Sequence, residues 1–134
     1  MTGAAHRIAV RVYWEDTDAG GIVYHSNYLN FMERGRTELL RALGVSQSAM
    51  LATEGLAFAV RRMAVEFDRP AVLDDLLEVE TAVAEVAGAS IVMEQRVLRG
   101  EAVLARARVT VACIGGGRPR RMPAALRAAF LAPP

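Results

Sequence analysis

The sequence predicts an α+β fold with an antiparallel sheet, on three observations. Over one long stretch, apolar residues recur at helical spacing: Leu29, Met32, Leu39, Leu40 and Leu43. From Ala57 onward the period drops to two and stays there through four consecutive runs. Turn residues separate those runs (Asp74-Asp75, Gly88, Gly100), with no helices between them, which argues against alternating βαβ units. With one earlier strand, the resulting five-stranded sheet can curl round a helix whose apolar stripe faces it.

The elements follow in order. Arg7 to Trp14 alternates, with Ile8, Val10, Val12 and Trp14 on one face, and reads as a half-buried first strand. Asp18 to Gly21 is a turn or bulge, because adjacent glycines reach positive φ freely. Ser26 or Asn27 is expected to cap the next helix, which runs to Leu43 and reaches about 26 Å at 1.5 Å per residue. Gly35 inside it costs about 1 kcal/mol against alanine, so a close approach is expected there. Gly44 ends that helix. Ser46 caps a short second helix through Thr53, closed by Gly55. Strands are expected over Ala57 to Arg69, interrupted by Pro70, then Leu76 to Ala87, Ala89 to Arg99 and Ala102 to Ile114. Gly115-Gly116-Gly117 ends the sheet, and Pro123 opens a C-terminal helix through Leu131.

A chain of 134 residues without repeat, linker or low-complexity tract is most simply one domain, 1–134. No run approaches eighteen apolar residues, so no membrane insertion is expected, and Met1 to Arg7 lacks the apolar centre of a signal peptide. The single cysteine, Cys113, cannot form an internal disulfide, which fits a reducing cytoplasm. It shares a strand face with Val103, Ala105, Val109 and Val111 and is expected in the core. A net charge of +1 argues against nucleic acid as a partner. All sixteen basic residues are arginine, which excludes Schiff-base chemistry through lysine.

The chemistry concentrates in residues 13–28. Glu15, Asp16 and Asp18 crowd three acids into four positions at the end of an apolar strand, and Gly20-Gly21 bends the chain toward His25 and a helix start. The first N–H groups of a helix lack intrahelical partners and carry the positive end of its dipole. A carboxylate beside such a terminus supplies a base or nucleophile and donors for an oxyanion, two parts of an acyl-transfer site. If the strand pleat continues, residues 16 and 18 share a side, where their repulsion could raise one pKa. Asp16, Asp18 and His25 could also be read as metal ligands, but no second His or Cys stands at ligand spacing, so no metal is expected. The three glycines at 115–117 lack the strand–helix context of a nucleotide loop and read as a turn.

Arg11-Val12-Tyr13, Glu15 through His25, Asn27-Tyr28-Leu29 and Glu33-Arg34-Gly35-Arg36-Thr37-Glu38 resemble the YbgC-type branch of the hydroxybenzoyl-CoA thioesterase family. The resemblance continues through Val60-Arg61-Arg62-Met63 and Leu73-Asp74-Asp75 to about Met122-Pro123, nearly the whole chain. It implies the hotdog fold, a sheet wrapped round one long helix, and hydrolysis of acyl-CoA thioesters by a cytoplasmic homodimer or homotetramer that needs no cofactor. The family's catalytic carboxylate falls on Asp18. The resemblance makes the backbone N–H of His25 an oxyanion donor, while the His25 side chain would orient water, hold Asp18 or bond the thioester.

Gly21, Tyr24 and Ser26 go with them as substrate-binding positions. Arg118, Arg120 and Arg121 follow the last strand, and arginine binds phosphates such as those of coenzyme A bidentately. Glu33 either approaches the site from a partner subunit or sits in an exposed salt bridge. Trp14 departs from the family, where tyrosine is frequent; indole donates only through its ring N–H. The branch is associated with the cell-envelope Tol-Pal system, and acyl carrier protein is a further partner it implies. Two rivals stay open: an enoyl-thioester hydratase, whose Asp–His spacing differs from the seven residues here, and a non-catalytic domain that binds acyl-CoA or a partner protein.

Overall fold

In the computed structural model, which describes residues 5–132, the long amphipathic stretch forms helix α1 (His25–Ala42) across one face of an antiparallel sheet. The strands are β1 (His6–Arg11), β2 (Ala57–Phe67), β3 (Leu76–Val86), β4 (Ser90–Arg99), β5 (Ala102–Gly115) and β6 (Arg118–Pro119). Their order is β1-β3-β4-β5-β2, with the two-residue β6 added beside β5. Two shorter helices, α2 (Gln47–Glu54) and α3 (Ala124–Leu131), complete the chain. Ser46 caps α2 by accepting the Ala49 N–H, and Gly55 closes it at φ 65°, as the sequence predicts. Among the described residues no helix is long and apolar enough to cross a membrane. Residues 1–4, part of the segment read for a signal peptide, lie outside the described residues.

The buried stripe of α1 consists of Tyr28, Phe31, Met32, Gly35, Leu39 and Leu40. Leu29 and Leu43, expected in it, are only partly buried, and two aromatic residues take the inward positions. Burying side chains such as Phe31 and Met32 stabilises by about 1.5–3 kcal/mol each. Gly35 is the predicted close approach. A Cβ there would meet Thr81 Oγ1 and Val79 Cγ1 of β3 at 2.8 Å each, so the absence of a side chain lets the helix axis sit against the sheet.

Four local expectations change. β1 stops at Arg11, and Trp14–Asp16 forms a turn of 3-10 helix. The Asp16 carboxylate accepts the Tyr13 N–H at 2.8 Å while the Asp16 N–H returns to Tyr13 O at 3.0 Å. That local exchange competes successfully with strand pairing and leaves Trp14 at 82% exposure, away from the inward face of Val12. β2 ends at Phe67, two residues before its expected limit. In β5, Val97 pairs Ala105 and Leu98 pairs Val103, so Leu104 is a bulge. The bulge buries Leu104 and moves Val103 off the inward face, while Cys113 is fully buried as expected. Finally, Gly116 and Gly117, at φ 60° and 74°, fold the chain back so that Arg118 and Pro119 add β6 where the sequence suggested the sheet would end.

β1 and β2 are the sheet edges. β2 is eleven residues long, and its register shifts between Val60 and Arg62. One side of it pairs with β5; the other presents unpaired backbone.

Candidate active site

The loop from Tyr13 to Tyr24 is held by its own backbone. Asp18 N–H bonds Ile22 O at 2.9 Å, Gly21 N–H bonds Asp18 O at 3.0 Å, and the Asp18 Oδ1 accepts the Gly20 N–H at 2.8 Å. Gly21 has φ 81°, a value that favours glycine. Val23 N–H then bonds Ala71 O, and Ile22 bridges Val72, so the loop is tied to the segment that leaves β2. One carboxylate oxygen of Asp18 is thus fixed by a turn, and the side chain lines a cavity of about 330 Å³.

That cavity brings Asp18 and His25 together with Ile22, Val23, Tyr28, Phe67, Asp68, Arg69 and Pro70. The His25 ring lies 6.2 Å from Phe67, edge-on, and 4.5 Å from Tyr24. Tyr28, buried beneath it, accepts the Ala71 N–H on its phenol oxygen, and burial pushes the phenol above its ordinary pKa, so it stays protonated at neutral pH. Asp68 pairs with Arg106, whose hydrogen bond holds the Asp68 carboxyl below the usual range. Arg69 has no ion-pair partner among the described residues.

Helix α1 starts two residues before its expected beginning. Its N-cap is Tyr24, with no side-chain cap: of the two predicted caps, Ser26 lies inside the first turn and Asn27 turns its amide to Asp16 O at 2.9 Å. Asn27 N–H bonds Tyr24 O. The N–H groups of His25 and Ser26 therefore open the helix with no side-chain oxygen occupying them, at the positive end of the dipole. A strong cap would have blocked these donors; its absence leaves them for a ligand oxygen.

Asp16 does not share a strand face with Asp18. Its carboxylate caps the 3-10 turn, and its carbonyl receives both Tyr24 N–H and the Asn27 amide, so it braces the helix start from outside the cavity. Trp14 and Glu15 are likewise absent from the cavity lining. Among the described residues no three His, Cys, Asp or Glu side chains converge as metal ligands would. Arg118, Arg120 and Arg121 are exposed at the end of the sheet where β2 begins, across β5 from it, whereas the Asp18 cavity lies at the Phe67 end of β2. Ten residues at about 3.3 Å each separate those ends by roughly 33 Å, so one subunit does not unite them. The lining from Phe67 to Pro70 was missed in the sequence, where Pro70 marked only the end of a strand.

A hotdog sheet round one helix, with an acid loop at the helix start, defines a class of thioesterase-like proteins, and the comparisons agree. A profile described as the thioesterase-like superfamily matches residues 12–130. The chain belongs to that superfamily, on its YbgC-type branch. It is 51% identical over 123 residues to the acyl-CoA thioesterase YbgC of Haemophilus influenzae, covering 90% of each chain. It is 46% identical over 133 residues to the acyl-CoA thioester hydrolase YbgC of an Escherichia coli O6:H1 strain, covering 97% of this chain and 98% of that one. Among solved structures, a probable thioesterase from Bartonella henselae superposes with a TM-score of 0.86 at 45% identity, covering 90% of this chain and all of that one.

Proposed function

We propose that this chain is an acyl-CoA thioester hydrolase in which Asp18 attacks or activates water and the start of α1 stabilises the oxyanion. The observation that carries this reading is a single cavity bounded by the Asp18 carboxylate and by His25, at the uncapped start of α1. With the thioester oxygen toward the His25 and Ser26 N–H groups, two routes are open to Asp18. As base it takes a proton from water, the oxygen adds to the carbonyl carbon, and the tetrahedral adduct expels the thiolate, which recovers the proton. As nucleophile its oxygen displaces the thiolate directly, and water then cleaves the mixed anhydride. One missing oxyanion donor typically costs on the order of 3 kcal/mol of transition-state stabilisation.

The site is completed by a second subunit in this reading. Two-fold antiparallel pairing of the free β2 edges carries the Ala57 end of one strand to the Phe67 end of its partner. That would bring Arg118, Arg120 and Arg121 of one chain toward the other's Asp18 cavity, where coenzyme A phosphates need cations. Gly21, Tyr24 and Ser26 frame the same loop and helix start, and the pantetheine arm would lie along the interface. A cytoplasmic location and acyl carrier protein as an alternative thioester donor go with this reading.

Release of free thiol across a chain-length series of acyl-CoAs tests it, with a crotonyl thioester alongside. Hydrolysis of saturated acyl-CoAs is expected. Hydration of the crotonyl double bond without thiol release would make the protein a hydratase, and binding without turnover would make it a carrier.

A further inference from the structure

A second cavity, of about 120 Å³, lies between α1 and the sheet. It faces Glu33 and Arg36, about 12 to 17 Å along the helix from His25 at 1.5 Å per residue. Phe58, Ile91, Met93 and Val111 give it an apolar floor. Nothing in the active-site reading uses it.

Arg36 is the member that packing alone does not explain. Its guanidinium is half-buried, and its one hydrogen-bond partner among the described residues is the neutral Oε1 of Gln95 at 3.0 Å. Gln95 is itself buried, with its Nε2 donating to Met32 O and Thr81 Oγ1 at 2.8 Å each, so its oxygen is fixed toward Arg36. A guanidinium offers five N–H donors, and this one has a single acceptor. No carboxylate of the described residues stands within ion-pair distance of it. Burial pulls its pKa below the ordinary value, and the charge of Glu33, one turn back, acts in the opposite direction. A cation so placed loses hydration with Glu33 near it but no carboxylate in direct contact, and an anion entering the cavity would supply that contact.

We propose that this cavity seats the far end of an acyl group that bears a terminal carboxylate, with Arg36 as the anchor that selects it. The inference rests on the thioesterase reading and on its two-fold β2 pairing. That pairing sets Phe58 of one subunit toward the Phe67 end of the partner's strand, so the thioester held at one Asp18 projects its acyl end toward the other subunit's Arg36. Glu33 tempers the preference: its carboxylate also faces the cavity from the exposed flank of α1 and repels the same anion. Turnover of a terminal-carboxylate acyl-CoA follows the hydrolysis already described, releasing a dicarboxylate and the thiol.

The test compares glutaryl-CoA with pentanoyl-CoA, matched in chain length, by the ratio of their kcat/KM values. Wild type is expected to favour glutaryl-CoA. Arg36→Gln should lower the glutaryl-to-pentanoyl ratio by about 10- to 100-fold, the usual span for one charge-assisted contact. Glu33→Gln, an exposed change that leaves the core intact, should raise the ratio. A merely structural role for Arg36 would depress both substrates and leave the ratio in place. A wild-type preference for pentanoyl-CoA, or a ratio unmoved by both variants, overturns the subsite while the thioesterase reading stands. Absence of turnover on every acyl-CoA overturns both.

Discussion

The phenol oxygen of Tyr28 accepts the backbone N–H of Ala71 at 2.9 Å, and both residues are buried. This contact pins the first turn of α1 to the chain leaving β2, the two segments between which the Asp18 cavity opens. Tyr28→Phe keeps the ring and strands the Ala71 donor. Leaving a buried donor without a partner costs about 1–3 kcal/mol. Urea unfolding should show a loss in that range at constant slope, and an unchanged midpoint would mean that Ala71 finds another acceptor.

Glu80 contributes a pH dependence whose sign is fixed. It is buried on β3, hydrogen-bonded by Arg96 on one oxygen at 2.7 Å and by Arg7 on the other at 2.6 Å. The Arg96 hydrogen bond above all holds its carboxyl below the usual value, against desolvation. A depressed carboxylate gives stability that is complete above the unfolded pKa, about 4.3, and is lost as pH falls through the folded value. Glu80→Gln should therefore destabilise by about 1.5–3 kcal/mol at pH 7, the range for hydrogen bonds to charged groups. Denaturant titrations repeated at falling pH should show the gap between wild type and variant closing below pH 4. A gap that persists undiminished at pH 2 would remove the ionic account.

The fold was legible in the sequence because its periodicities are long and unbroken. The long helix, the Ser46 and Gly55 caps and the four strands of the period-two runs each appear, while two aromatic residues replace Leu29 and Leu43 in the buried stripe and one bulge shifts the inward face of β5. What escaped was decided by contacts between distant or competing groups. Asp16 could be read as a strand residue until its carboxylate was seen on the Tyr13 N–H. The helix start moved because Asn27 spends its amide on Asp16 O, a partner eleven residues away. Asp18 and His25, singled out from the loop and its resemblance, line one cavity, whereas Phe67 to Pro70 join that lining only through the tertiary fold. Arg36 was quoted in the motif, but that its guanidinium meets a neutral amide oxygen and no carboxylate depends on Gln95, fifty-nine residues on.

Oligomerisation follows from the edges. An eleven-residue edge strand with Val60 and Phe67 about half exposed is a surface that natural proteins pair or protect. We expect no stable monomer at micromolar concentration, and light scattering should give two or four times 14.5 kDa. A mass of 14.5 kDa across that range would end the two-subunit site, and with it the proposed roles of Arg118, Arg120, Arg121 and Arg36.

The mechanism stands or falls on Asp18. Asp18→Asn retains a side-chain oxygen to accept the Gly20 N–H, so the turn that holds the loop survives. What disappears is the charge, and with it the ability to take a proton or attack a carbonyl. General-base catalysis typically contributes about 100- to 10,000-fold, and kcat should fall within that span. KM should change much less, because Asp18 acts chiefly in the transition state while coenzyme A contacts are spread over other groups. Asp16→Asn is the control. Its replacement amide oxygen still reaches the Tyr13 N–H, and the backbone carbonyl that holds Tyr24 and Asn27 is untouched, so its loss should be the smaller. Both variants are to be compared at matched circular dichroism and oligomeric state. Near-normal kcat in Asp18→Asn would overturn the mechanism, and a larger loss in Asp16→Asn would move the catalytic role two residues upstream.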